Sequence, residues 1–180
     1  MKTYIGLLRG INVGGANRLS MRQLVEVLQD LGLKNVKTYI QSGNVVFQSE
    51  PIKAVELSDR ISAAIKQSHG FAPQVLLLEL DELEQAAATN PFPQAEAEPK
   101  TLHLYFLAAV PQNPDLETLE DLKQEREQFS LQDKVFYLFA PDGIGRSKLA
   151  ERAEKALGVA ATARNWRSVC KIMEMAKQLG

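Results

Sequence analysis

The chain has 180 residues, 45% of them hydrophobic and 24% charged, with a formal net charge of −1. That composition fits a globular protein of one domain or two small ones and excludes a disordered or collagen-like chain. No apolar run approaches the ~20 residues of a membrane span. The start, Met1-Lys2-Thr3-Tyr4, has no signal-peptide pattern, and Cys170 is the single cysteine. An intrachain disulfide and a cysteine-held metal cluster are therefore excluded, and a reducing cytoplasm is the expected location. The small net charge conceals a segregation. Residues 1–47 hold six Lys/Arg against two Asp/Glu, residues 48–142 seven against seventeen, and residues 143–180 eight against three. Basic charge thus collects at both ends, and a fold that brought the ends together would form a basic patch on an acidic body.

Residues 3–9 read as a short buried strand. Ser20 and Gln23 then form an S-x-x-Q capping box, with Leu19 and Leu24 at the staple positions. Met21, Leu24, Val25, Leu28 and Leu31 follow at helical spacing, and Gly32 stops the helix. Residues 35–41 and 44–48 read as strands joined by Ser42-Gly43. Pro51 opens a second helix with Leu57, Ile61, Ala64 and Ile65 inward, ending near Gly70. A strand at 73–80 and a short helix capped by Asp81 complete a β-α-β-β-α-β order, the split βαβ or ferredoxin-like arrangement.

Residues 91–100, rich in Pro and polar residues, read as a connector. Beyond it the pattern partly repeats. Residues 101–108 form a strand, 115–124 a helix with Leu116, Leu119 and Leu122 inward, and 129–132 and 135–140 two more strands. Residues 147–157 form a helix closed by Gly158. A helix over 165–178 then occupies the place of a last strand. The expectation is an α+β fold of two related ferredoxin-like units, 1–90 and 101–180, each an antiparallel sheet with helices on one face.

The stretch Arg9-Gly10-Ile11-Asn12-Val13-Gly14-Gly15-Ala16-Asn17 carries the strongest functional signal. In a ferredoxin-like unit the loop after strand 1 and the turn between strands 2 and 3 share a rim. Arg9, Asn12, Gly14, Gly15 and Asn17 are then expected near Gln41, Ser42 and Asn44. Glycines let backbone N–H groups approach a ligand, the following helix offers a partly positive end, and Arg9, Arg18 and Arg22 add full charge. The spacing is neither a Walker loop nor G-x-G-x-x-G. The plainer reading is a tight turn in which the asparagines bond their own backbone.

Asp142-Gly143-Ile144-Gly145-Arg146-Ser147-Lys148 is a second Gly-rich loop with Ser147 a natural N-cap; Arg146 and Lys148 are placed to hold a phosphate at the helix N-terminus, and a plain strand-to-helix turn is the simpler reading. Thr162 to Ser168 opens the last helix. Asn165 is its N-cap, and Arg164, Arg167 and Lys171 put positive charge where the helix dipole disfavours it; Trp166 has two readings, a surface for stacking on a base or an Arg, and the simpler one, the head of a core stripe with Val169, Cys170, Met173 and Ala176. Catalytic equipment is sparse. His69 and His103 lack metal-ligand spacing, no nucleophile motif is present, and the acidic run Glu117 to Glu127 reads as a wet helix face.

RGINVGGAN followed by Met21, then YIQSGNVVF, NPFP, DGIGRSKL and TARNWRSVCKI, resemble the domain-of-unknown-function family numbered 1697, from Arg9 to about Met175. The resemblance implies a bacterial-type, two-unit α+β protein with ferredoxin-like pieces, and no established activity. The positions that match are Arg9, Gly10, Asn12, Gly14, Gly15, Asn17, Gln41, Ser42, Gly43, Asn44, Arg164, Asn165 and Trp166. Ser168 stands where the family has Thr and keeps the hydroxyl.

Three functions remain open at this point. The first is binding of an anionic or phosphorylated small ligand, a nucleotide among them, through Arg9, Asn12, Gly14, Gly15, Asn17, Gln41, Ser42 and Asn44, with Arg164 and Asn165 as further contacts. The second is a nucleic-acid module using the basic terminal segments. The third is a structural or partner-binding domain. An enzyme would need a general base near the loop, and none stands out. Neither cofactor, ligand identity nor oligomeric state is fixed by the sequence.

Overall fold

The capping box at Ser20 forms as its residue types dictate. Ser20 Oγ accepts from Gln23 N at 3.2 Å, and Gln23 Oε1 accepts from Ser20 N at 3.0 Å. Helix α1 (Met21–Asp30) follows, between β1 (Lys2–Arg9) and β2 (Lys34–Tyr39). Its buried face is Leu24, Val27 and Leu28. Val27 takes the place expected of Val25, because it lies three residues on from Leu24 and shares its face, while Val25 is turned about 100° away. After β3 (Asn44–Ser49) comes α2 (Ala54–His69), which starts three residues beyond Pro51 and ends on left-handed Gly70. Strand β4 (Gln74–Glu79) leads directly into α3 (Leu80–Ala88). Asp81 therefore sits inside the first turn of α3, and Glu82 Oε2 accepts from Glu79 N at 2.8 Å in the capping role expected of Asp81.

The computed structural model describes residues 1–180 and divides into two units. In the first, the strands run β2-β3-β1-β4, all antiparallel. Tyr4, Leu8, Val45, Phe47 and Leu77 share one face of this sheet and pack with Leu24, Leu28, Leu57, Ile61 and Ile65 of α1 and α2. By strand alternation Ile5, Leu7 and Val46 point to the other face, and each is at most 1% exposed. The chain's last ten residues belong to this unit, not to the second as the sequence suggested. Gln48 Nε2 donates to Leu179 O at 3.0 Å, and Lys177 pairs with Glu84 at 2.9 Å.

The second unit spans Ala86–Cys170. The expected connector is folded: Pro93–Ala97 and Pro99–Thr101 are 3-10 turns, and Asn90 Oδ1 accepts from Phe92 N at 3.0 Å. Strand β5 (Leu102–Leu107), α4 (Leu116–Leu122), β6 (Gln128–Gln132), β7 (Val135–Phe139), α5 (Lys148–Leu157) and β8 (Ala161–Asn165) follow, and α6 (Trp166–Leu179) ends the chain. The sheet order is β6-β7-β5-β8, the same arrangement as in the first unit. The last strand expected to be missing is therefore present as β8. Its sequence ATARN has one β-branched residue, so its extended form comes from pairing with β5, register Tyr105 to Ala163. Leu116 is 37% exposed rather than inward. Glu127 is 2% exposed and lies after α4, so it is no part of a wet helix face. No helix is long and apolar enough to cross a membrane.

Candidate functional site

The Gly/Asn stretch folds into a miniature hairpin. Val13 and Ala16 bridge, Ala16 N donates to Val13 O at 3.1 Å, and Asn12 N donates to Asn17 O at 3.0 Å. Gly14 and Gly15 sit at its tip with φ of 58° and 78°, the double positive φ of a tight two-residue turn. Asn12 and Asn17 flank it, also left-handed, at 55° and 50°. Asparagine is the non-glycine residue that best tolerates that region.

The asparagine side chains hold the loop. Asn12 Nδ2 donates to Leu19 O at 2.7 Å and to Gln41 O at 2.9 Å, and Asn12 Oδ1 accepts from Leu19 N at 2.9 Å. One carboxamide thus ties the hairpin to the start of α1 and to the β2–β3 turn. Asn17 Nδ2 donates to Gly10 O at 2.9 Å. Asn44 is fully buried, with Nδ2 donating to Tyr39 O and to Ser42 Oγ. Gly43, at φ 85°, passes so close to the core that an added Cβ would lie 2.7 Å from Leu8 Cβ. The two loops therefore do meet at one rim.

Between them lies an open cleft of about 410 Å³, lined by Asn12, Gly15, Arg18, Leu19, Ser20, Gln23 and Gln41. Of the residues expected from the sequence to contact a ligand, Asn12, Gly15 and Gln41 line it, as do Arg18, named for its charge, and Leu19, Ser20 and Gln23, named for the start of α1. Arg9, Gly14, Asn17, Ser42 and Asn44 do not. Arg9 pairs in register with Gln74 of β4, and Nη1 donates to Gln74 Oε1 at 3.4 Å. Strand alternation puts Arg9 on the face of Ile5 and Leu7, away from α1. The arginine in the cleft is Arg18, whose Nε donates to Gly15 O at 3.3 Å. The sequence already names Arg18, with Arg9 and Arg22, as a source of full charge at this loop, but does not separate it from Arg9. Arg22 is paired with Glu26 at 3.2 Å, and the first turn of α1 contains no acid. Val13 and Ile40, next in sequence to cleft residues, are 68% and 51% exposed. Ile40 has φ 50°, a strained value for a β-branched residue.

Arg164 and Asn165 belong to the second unit and have local roles there. Asn165 Oδ1 caps α6 by accepting from Ser168 N at 3.0 Å. Arg164 Nη1 donates to Ala163 O at 2.9 Å, and burial pushes its guanidinium down to about 10. Trp166, Val169 and Ala176 are buried as one stripe, joined by Ile172. Ser147 caps α5 by accepting from Ala150 N at 3.0 Å, so the second Gly-rich loop is a strand-to-helix turn.

Two buried polar atoms in the second unit, His103 Nδ1 and Glu127 Oε1, have no hydrogen-bond partner. Burial alone lowers His103 from 6.5 to about 4, while burial and the Glu127 charge push Tyr105 up to about 12. His103 takes a proton more readily unfolded than folded. Its contribution is complete above pH 6.5 and is lost as the pH falls through about 4. Denaturation midpoints should therefore fall across that window, by a loss on the order of 3 kcal/mol at most. His103→Leu should flatten the profile there, and an unchanged profile would refute the assignment.

The family described as a protein of unknown function, DUF1697, matches residues 1–137. The chain belongs to that family. The match covers the hairpin and the β2–β3 turn, while the DGIGRSKL and TARNWRSVCKI segments lie beyond it. Among solved structures, a conserved bacterial protein from Streptococcus pneumoniae is similar, with a TM-score of 0.67 and 25% identity over 97% of this chain and 98% of that one. The similarity thus spans both units. No curated protein gives a significant match.

Proposed function

We propose that the first unit binds a small phosphorylated or otherwise anionic ligand, a nucleotide being one candidate, in the cleft between the hairpin and the start of α1. The observation that carries this reading is the cleft itself: about 410 Å³, with Arg18 on its wall and no carboxylate among its lining residues. That volume lies in the range of small-molecule sites, ~300–1,000 Å³. The capping box satisfies Gln23 N, whereas the N–H groups of Met21 and Arg22 lie in the first turn, where no intrahelical acceptor exists. Neither residue lines the cleft, but the partly positive end of α1 that they form adds to the Arg18 charge at its wall. Gln23 and Gln41 supply polar groups for the rest of the ligand. Asn12, Asn17 and Asn44 act as scaffold, holding the two walls in register. The sheet faces give a nucleic-acid reading little support, since Tyr4, Phe47, Phe106, Phe136 and Tyr137 are all buried and cannot stack on bases.

A thermal-shift screen with inorganic phosphate, nucleotides, sugar phosphates and short oligonucleotides tests the proposal, because a ligand of the folded state raises the midpoint by mass action. A phosphorylated small molecule should stabilise the wild type, and Arg18→Ala should abolish that shift while Arg9→Ala leaves it. No response to any anion, or a shift that survives Arg18→Ala, would overturn the assignment. A response to oligonucleotides alone, falling steeply with salt, would instead favour nucleic acid.

A further inference from the structure

We infer that β6 is a self-association edge, at which two copies of this chain pair as antiparallel strands about a two-fold axis at Ser130. The two four-stranded sheets present β2, β4, β6 and β8 as edges. Exposed edges invite pairing with another chain, and proteins blunt them with charge, bulges or proline. Strand β2 contains Lys34 and Lys37 with a register shift between them. Strand β4 ends on Glu79, and β8 contains Arg164. Strand β6, Gln128–Gln132, is QFSLQ, with no charge, no proline and an unbroken register against β7.

The sequence of β6 is also close to palindromic. Pairing about Ser130 sets Phe129 of one copy against Leu131 of the other, twice, and Gln128 against Gln132, twice. In an antiparallel ladder alternate residues direct N–H and C=O outward. A pairing centred on a residue brings positions of equal parity opposite each other, so the two outward rows match. The side chains match as well. Phe129 and Leu131 are partly buried against the helix-packed core, and Phe129 stacks on Phe136 with centroids 5.6 Å apart. Across the axis they extend that apolar face, while Gln128, Ser130 and Gln132 lie together on the other. This is the isologous geometry of a two-fold dimer, in which one patch complements itself.

Sedimentation of the full chain across a concentration series up to millimolar tests the inference. The wild type should approach twice the monomer mass of 20.0 kDa. Gln128→Lys with Gln132→Lys puts like charges opposite each other at both ends and should leave a monomer with unchanged circular dichroism. Gln128→Lys with Gln132→Glu puts opposite charges at the same places and should restore the dimer at low salt. A wild type that stays monomeric throughout, a dimer indifferent to the double lysine variant, or a lysine–glutamate variant that stays monomeric would each overturn the pairing.

Discussion

Gly43→Ala should destabilise the first unit by about 2–5 kcal/mol, a large part of the ~5–15 kcal/mol typical of a domain. Two independent costs add. The backbone at φ 85° penalises any L side chain, by roughly 1–2 kcal/mol. The new methyl would also lie 2.7 Å from Leu8 Cβ and 2.9 Å from Ile11 Cδ1. Leu8 and Ile11 are 1% and 2% exposed, and a Cβ cannot rotate away, so the strand or the turn must shift. Overpacking of that kind typically costs ~1–3 kcal/mol. Gly10 provides the control, because it has φ 79° and nothing within 4 Å of an added Cβ. Gly10→Ala should show the backbone cost alone. Urea denaturation followed by far-ultraviolet circular dichroism compares the two. Equal losses would remove the packing argument; dichroism rather than fluorescence is the readout because the only tryptophan is in the second unit.

Asn12→Ala should cost about 2–4 kcal/mol and at the same time abolish ligand stabilisation. The substitution removes three hydrogen bonds at once and leaves the N–H and C=O of Leu19, itself 0% exposed, without their partner. A buried backbone group deprived of its partner costs ~1–3 kcal/mol. The left-handed φ of 55° adds a smaller backbone penalty. Asn12→Gly tolerates that φ yet lacks the carboxamide, so it separates the two causes. Most of the loss should persist in the glycine variant. If Asn12→Gly is as stable as the wild type, the carboxamide does not hold the loop. Ligand binding by a folded Asn12→Ala protein would show that the cleft does not depend on this tie.

Asn12 lies in the stretch that carried the strongest functional signal in the sequence, and Gly43 in the turn expected beside it; elsewhere the helix ends were the most legible features. The capping box at Ser20 and Gln23, the stop at Gly70 and the caps at Ser147 and Asn165 depend on neighbours within four residues. Local sequence therefore fixes them. The order of apolar runs likewise specified two ferredoxin-like units. Strand β8 was illegible for the opposite reason. ATARN has little strand character, and its conformation is imposed by β5, some sixty residues away in the chain, through pairs such as Phe106 with Thr162.

The candidate site divides in the same way. Sequence determined that Gly14 and Gly15 turn, that Asn12 and Asn17 accept left-handed backbone, and that a helix begins beside them, because φ preference and capping are properties of single residues and their near neighbours. Tertiary structure decided which side chains have work elsewhere. Asn12 is committed to Leu19 and Gln41, Asn44 is buried under its own turn, and Arg9 leans toward Gln74, leaving Arg18 on the cleft wall. Strand parity and sheet order set these outcomes. A side chain's face depends on where its strand pairs, and its partners come from segments distant in sequence. Residue type can therefore nominate a binding group, but only the packed sheet determines whether that group is already engaged.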